Sequence, residues 1–157
     1  MLHKRSVYCI LQGWRLDIPG LPELTAVGSR RGHQAPGQRS MLPPYLGSGP
    51  SPDGNAGGSG FYSRENYRNL LRYAWQRHVT VIPEVDVPGH SSAAIASMRG
   101  RGGRENVTLL DPSDTFEYVS VNGYRNNVMN MCLKSPLSFI EHVIASLVDL
   151  HKVTRQL

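Results

Sequence analysis

The fold turns on one stretch, Val79-Thr-Val-Ile-Pro-Glu-Val-Asp-Val-Pro-Gly-His90. It begins as a β-branched apolar run, which reads as a strand over 79–85 buried on both faces, as in a parallel sheet. It then changes character. Glu84, Asp86 and His90 follow, separated by Pro83, Pro88 and Gly89, so the strand ends in three ionisable groups and a rigid bend. Strand C-terminal ends of this kind supply the site residues of barrel and open α/β proteins.

Upstream, Ser63 reads as an N-cap. Tyr67, Leu70, Leu71, Ala74 and Trp75 follow at helical spacing and form one apolar stripe. Earlier still, residues 6–11 (Ser-Val-Tyr-Cys-Ile-Leu) read as a short strand. Strand, helix and buried strand in that order predict a βαβ unit with parallel strands. Downstream, Ser91 to Met98 predicts a small Ala-rich helix ended by Gly100, Gly102 and Gly103. Ser135 is expected to cap the last helix, with Pro136 at its first position. Phe139, Ile140, Val143, Ile144, Leu147 and Val148 would be that helix's core face. Between them, Val107 to Leu110 and Phe116 to Val121 read as short strands or extended loop. The class is α/β.

Between the first strand and Ser63 the chain is irregular. From Gly28 to Gly60, 19 of 33 residues are Gly, Pro or Ser. So long a loop suits a βα connection over the mouth of a site, with Tyr45, Phe61 and Tyr62 flanking it.

Composition sets outer bounds. A chain of 157 residues suits one domain. The formal charge of +5 comes from scattered basic residues. No aromatic or basic motif frames the clusters at Arg30-Arg31 and Arg99 to Arg104, so no nucleic-acid partner is expected. No run approaches the ~20 apolar residues of a membrane span, and no membrane partner is expected. The five apolar residues from Val7 to Leu11 are too few for a secretory signal, which leaves the compartment open. Asn106-Val107-Thr108 fits a glycosylation acceptor only in a secreted form. Cys9 and Cys132 support no disulfide framework and read as buried thiols.

Three chemical readings are open to the opening stretch. Glu84 and Asp86, two apart on a strand, share a face. They hold loops in place, or they and His90 orient a substrate or tune an acid, or the three bind a divalent metal. Metal ranks last, since no second histidine or carboxylate cluster supplies further ligands. Trp14 either fills the core or stacks on a sugar ring. No Gly-x-Ser-x-Gly elbow, Walker loop, Cys-x-x-Cys or His-Glu-x-x-His is present, and no cofactor is called for.

An ordered set of segments adds a resemblance. Gly-Trp-Arg-Leu-Asp-Ile-Pro-Gly-Leu-Pro-Glu-Leu begins at 13, Leu-Gly-Ser-Gly-Pro at 46 and Gly-Phe-Tyr-Ser-Arg at 60. Val-Ile-Pro-Glu-Val-Asp-Val-Pro-Gly-His from 81, Leu-Asp-Pro-Ser-Asp-Thr from 110 and His-Lys at 151–152 continue it. Together they resemble the glycoside hydrolase family 20 β-N-acetylhexosaminidases, in particular the chitobiase-like members. The resemblance implies an incomplete (β/α)8 TIM barrel, roughly the second and third strand–helix units with the long Gly/Pro-rich loop. It places that partial catalytic barrel at 13–157, after an atypical N-terminal segment at 1–12.

It further implies hydrolysis of terminal N-acetylglucosamine or N-acetylgalactosamine from glycans. The substrate's own acetamido oxygen attacks the anomeric carbon, an enzyme glutamate protonates the leaving oxygen and an aspartate steadies the intermediate. His90, at the Pro-Gly-His bend, matches the family histidine that lies beside the acid glutamate. Trp14 and Arg15 match the motif, contacting substrate or serving the fold, and Glu84 and Asp86 become supports of the strand end.

Two departures stand out. The family's Asp-Asp-Glu-type run before Gly-Trp-Arg reads Ile10, Leu11 and Gln12. None of the 12 acidic residues adjoins another, so no Asp-Glu pair is present to catalyse. The expectation is an enzyme fragment inactive alone. The alternative is a non-catalytic sugar-binding or regulatory remnant that pairs with a full-length relative.

Overall fold

The computed structural model describes residues 3–8, 13–35, 38, 40–44, 48, 58–99, 107–111, 113, 115, 117–121 and 123–152. Two strands, β1 (His3–Tyr8) and β2 (Val79–Glu84), pair in parallel. Their register runs from His3 opposite Val79 to Tyr8 opposite Glu84. Between them lie the short α1 (Glu23–Ala26) and α2 (Arg64–Trp75), and after them α3 (Ser92–Arg99) and α4 (Lys134–His151). The βαβ unit is therefore present. The described residues form a two-stranded α/β arrangement and not a closed barrel.

β1 starts three residues before the expected 6–11. Hydrogen bonding to β2 sets its extent, which the apolar run in the sequence does not report; Cys9 and residues 10–12 lie outside the described residues.

α2 forms as its sequence dictates. The Ser63 hydroxyl accepts the Asn66 amide at 3.1 Å, satisfying one of the donors that a helix start leaves unpaired. Tyr67, Leu71 and Ala74 are buried. Trp75 is a correction: it is 51% exposed. At ~100° per residue it lies roughly 80° round the helix from Tyr67, beyond the edge of the covered stripe.

β2 also departs from expectation. Its residues alternate, with Val79, Val81 and Pro83 half-buried and Thr80, Ile82 and Glu84 exposed. One face packs toward α2 and the core, while the other is open, with Ile82 at 42% exposure. The β-branched run reads as doubly buried because sequence records apolarity without recording which layer covers it.

The core gathers Trp14, Leu16, Ile18, Leu24, Tyr67, Leu71 and the small residues of α3 against Phe139, Val143, Leu147 and Leu150 of α4. Trp14 meets Phe139 edge-on, with ring centroids 6.0 Å apart at 64°, a favoured aromatic geometry. Gly28 permits the closest approach: a Cβ there would meet the Leu24 carbonyl oxygen at 2.5 Å and Ser97 Oγ and Trp14 Cβ at 2.9 Å.

α4 starts one residue earlier than its expected cap. Leu133 is the N-cap and Pro136 is the third helical residue, tolerated there because first-turn amides have no intrahelical acceptor. Phe139, Val143 and Leu147 are buried as expected. Ile144 and Val148 are instead exposed, with Leu137 on the same side. Arg64 on α2 reaches Asp149 at 2.8 Å and Tyr67 Oη lies 3.0 Å from His151 Nε2, tying the end of α4 to α2. No named strand forms over 107–110 or 117–121; Val119 makes a single antiparallel bridge to Arg125. Cys132 is exposed rather than buried, because it sits in a turn whose amide bonds Asn130 Oδ1.

Candidate functional site

The C-terminal end of β2 leads into the turn that carries His90. Two bonds fasten this turn to a second segment: Met129 N to Pro88 O and Ser91 N to Asn127 O, both 2.8 Å. Ser91 Oγ adds a bond to Gly89 O at 2.9 Å, and Ser91 O accepts Ile95 N at the start of α3. His90 is thereby held at φ +52°, a left-handed conformation uncommon for a residue with a Cβ and one that surrounding structure must enforce.

Its side chain is half-buried. Among the described residues, His90 Nδ1 is shielded from solvent and has no hydrogen-bond partner, and the same holds for Oδ1 of Asn127, which is 2% exposed. Two orphaned polar atoms on bonded segments are costly unless something meets them. An imidazole carried on this left-handed backbone, with its shielded Nδ1 unmatched, can take or give a hydrogen bond to a group packed against it.

Glu84 and Asp86 do not converge with His90 on a shared ligand. Glu84 is exposed at the strand end and borders a crevice lined by Trp14, Leu16, Ile18 and Val143. Asp86 is half-buried. Among the described residues no group of three or more His, Cys, Asp or Glu side chains is placed to hold a metal, and no helix is long and apolar enough to cross a membrane.

Trp14 is 3% exposed, with its indole N–H donated to Leu16 O at 2.6 Å. Arg15 acts as a clasp. Its Nη1 bonds Ser29 O at 2.9 Å and Gly60 O at 2.7 Å, and its Nη2 bonds Gly58 O at 2.8 Å. Both ends of the long Gly/Pro-rich segment are thus drawn to the residues after β1. Phe61 and Tyr62 are exposed beside it; Tyr45, Phe116 and Asn106 lie outside the described residues. Sequence reading missed Asn127, for which no motif gives a signal, and the framing role of Ser91.

Farther along, Asp111 accepts both the hydroxyl and the amide of Ser113, at 2.6 and 2.9 Å, which holds its carboxyl below the usual range. His151 is shifted down by burial, which disfavours its charged form.

The sequence profile described as "Glycosyl hydrolase family 20, catalytic domain" matches residues 11–156. The chain is 43% identical over 151 residues to a beta-hexosaminidase of Vibrio vulnificus, covering 90% of this chain and 18% of that protein. It is 40% identical over 152 residues to an N,N'-diacetylchitobiase of Vibrio harveyi, covering 90% of this chain and 17% of that one. Among solved structures, it is similar to a GH20 exo-β-N-acetylglucosaminidase from Vibrio harveyi in complex with N-acetylglucosamine. The TM-score there is 0.74 at 33% identity, over 92% of this chain and 20% of the other. The chain spans about a fifth of the length of these relatives. With the profile running across almost all of its residues, the chain belongs to glycosyl hydrolase family 20, as part of the catalytic domain.

Proposed function

We propose that this chain is a segment of a β-N-acetylhexosaminidase that hydrolyses terminal non-reducing N-acetylglucosamine or N-acetylgalactosamine by a substrate-assisted, retaining route. It would supply roughly the second and third strand–helix units of an eight-unit barrel. The observation that carries the reading is His90: a family-matched histidine in the turn after β2, left-handed and pinned on both sides, with Nδ1 shielded and unpartnered among the described residues. Its role is to lie beside the acid glutamate and help set that group's protonation. Trp14 and Arg15 position the loop that borders the sugar, and Glu84 and Asp86 support the strand end.

The sequence holds no adjacent pair of acidic residues, so the chain alone lacks the proton donor and the stabilising aspartate. General acid catalysis contributes typically ~10²–10⁴-fold, and without it turnover falls to background. A fluorogenic N-acetylglucosaminide assay on the purified chain should give no signal above buffer. Turnover in the wild type that His90→Ala abolishes would refute the inactivity of the chain alone.

The two orphaned atoms, His90 Nδ1 and Asn127 Oδ1, also favour a second reading, retention of sugar without hydrolysis. N-acetylglucosamine would then raise the thermal unfolding midpoint of the chain. An unshifted midpoint at saturating sugar removes that reading.

A further inference from the structure

Beside the His90 turn, on its α3 side, is a cleft of about 420 Å³ that the family reading leaves unused. It is bordered by one face of α3, by the 123–126 segment and by residues around Leu42 to Pro44. Three guanidinium groups line it, those of Arg31, Arg99 and Arg125, and among the described residues none that lines it is acidic.

The three are held differently. Arg31 is 7% exposed and donates from Nη1 to Pro43 O at 3.1 Å, which fixes its charge in the wall. Arg125 reaches Glu117 only at 3.4 Å, and both side chains are largely in water, a pairing that competes weakly with a ligand. Arg99 stands at the last turn of α3 with no ion pair among the described residues. Pro43 and Tyr124 supply ring surfaces. The cleft is joined to the His90 turn through the chain itself, since Asn126 precedes Asn127, whose carbonyl holds the Ser91 amide.

A cleft of this size falls within the range of sites for small organic ligands and far exceeds an inorganic ion. Planar guanidiniums match the paired oxygens of a sulfate or a carboxylate, and pyrrolidine and phenol rings offer apolar surface to a sugar ring. We propose that this cleft binds an anionic saccharide, a sugar unit carrying a sulfate or a carboxylate, next to the site that handles the hexosamine. The proposal rests on the glycan-directed reading above.

The test is an NMR titration of the full chain with four probes: N-acetylglucosamine 6-sulfate, glucuronic acid, N-acetylglucosamine and inorganic sulfate. At least one charged sugar should bind at least about fivefold tighter than N-acetylglucosamine, the range of one well-placed exposed ion pair. Which charged sugar wins identifies the anionic group. Arg99→Gln and Arg125→Gln, both at exposed side chains, should each remove most of that preference, with the unfolding midpoint unchanged, and added salt should erode it. Three results would overturn the cleft as an anionic-sugar site: equal affinity for charged and neutral sugars, inorganic sulfate binding as well as the tighter of the two charged sugars, or a preference untouched by both substitutions. Failure of the hexosamine reading looks different: N-acetylglucosamine then produces no shifts around His90 whatever happens at Arg99.

Discussion

Removing the Arg15 guanidinium is the sharpest test of what that motif residue does. In Arg15→Met the aliphatic stem is kept while three bonds to backbone carbonyls disappear, at Ser29, Gly60 and Gly58. Hydrogen bonds to charged groups contribute ~1.5–3 kcal/mol each, but the bond to Gly60 is exposed and its carbonyl can turn to water. The two part-buried bonds therefore dominate. Their loss, offset by the ~1–2 kcal/mol of rotamer freedom regained by a long side chain, predicts a net destabilisation of about 1–5 kcal/mol. That is a large share of the ~5–15 kcal/mol available to a small domain. The loss should also be local. Gly60 N bonds Ser29 O at 3.0 Å, and Tyr62 N bonds Arg15 O at 2.9 Å, so amides at 60 and 62 should exchange faster than those of α4. Denaturant unfolding followed by near-UV circular dichroism, with hydrogen exchange at those amides, reads both quantities. A variant within about 0.5 kcal/mol of wild type, with unchanged protection at 60 and 62 but weakened N-acetylglucosamine binding, would make Arg15 a ligand contact and refute the clasp.

Three further outcomes are expected. Gly28→Ala forces a methyl against the Leu24 carbonyl, Ser97 and Trp14 and should cost ~1–3 kcal/mol as an overpacked site; thermal unfolding unchanged by it would place Gly28 in open space. His151, lowered by burial, binds fewer protons folded than unfolded, so its contribution is fully present above pH ~6.5 and is lost as pH falls below that value. The wild-type Tm should fall on acidification through that window and His151→Gln should flatten the decline, whereas identical slopes would discard the assignment. Ile144→Glu with Val148→Lys places an i,i+4 pair on the exposed side of α4 and should reduce self-association in sedimentation while leaving stability within ~0.5 kcal/mol; unfolding of the double variant would show that this face is covered.

What was legible in the sequence divides along physical lines. Local chemistry was readable: the Ser63 cap, the Tyr67–Leu71–Ala74 stripe and the strand before Glu84 all stand where the spacing puts them. Their causes lie within a few residues of the chain. What misled was coverage. Trp75, Ile144, Val148 and the Ile82 face of β2 are apolar and exposed, because whether an apolar residue is buried depends on a neighbouring layer that periodicity does not encode. Cys132 failed for the complementary reason: a residue type that is usually buried lies in a turn fixed by Asn130.

The candidate site shows the same division at closer range. Glu84, Asp86 and His90 attract attention together because they are ionisable and near one another in sequence. Backbone geometry then separates them. Strand alternation puts Glu84 on the open face of β2, while Pro88, Gly89 and the bonds to Asn127 and Met129 turn His90 into the left-handed region. Glu84 is thereby free to meet solvent or a neighbouring element, and the His90 backbone is fixed. The role proposed for His90 draws on the second condition, since a fixed backbone sets the point from which the imidazole reaches a neighbouring group. The backbone strain at His90 is the price of that fixation. Replacing it by glycine, which adopts φ +52° without penalty, should therefore raise stability slightly while removing whatever the imidazole does. His90→Ala, which keeps a Cβ in the same strained conformation, should remove the imidazole without that gain in the thermal unfolding midpoint, so the two variants separate the turn from the side chain.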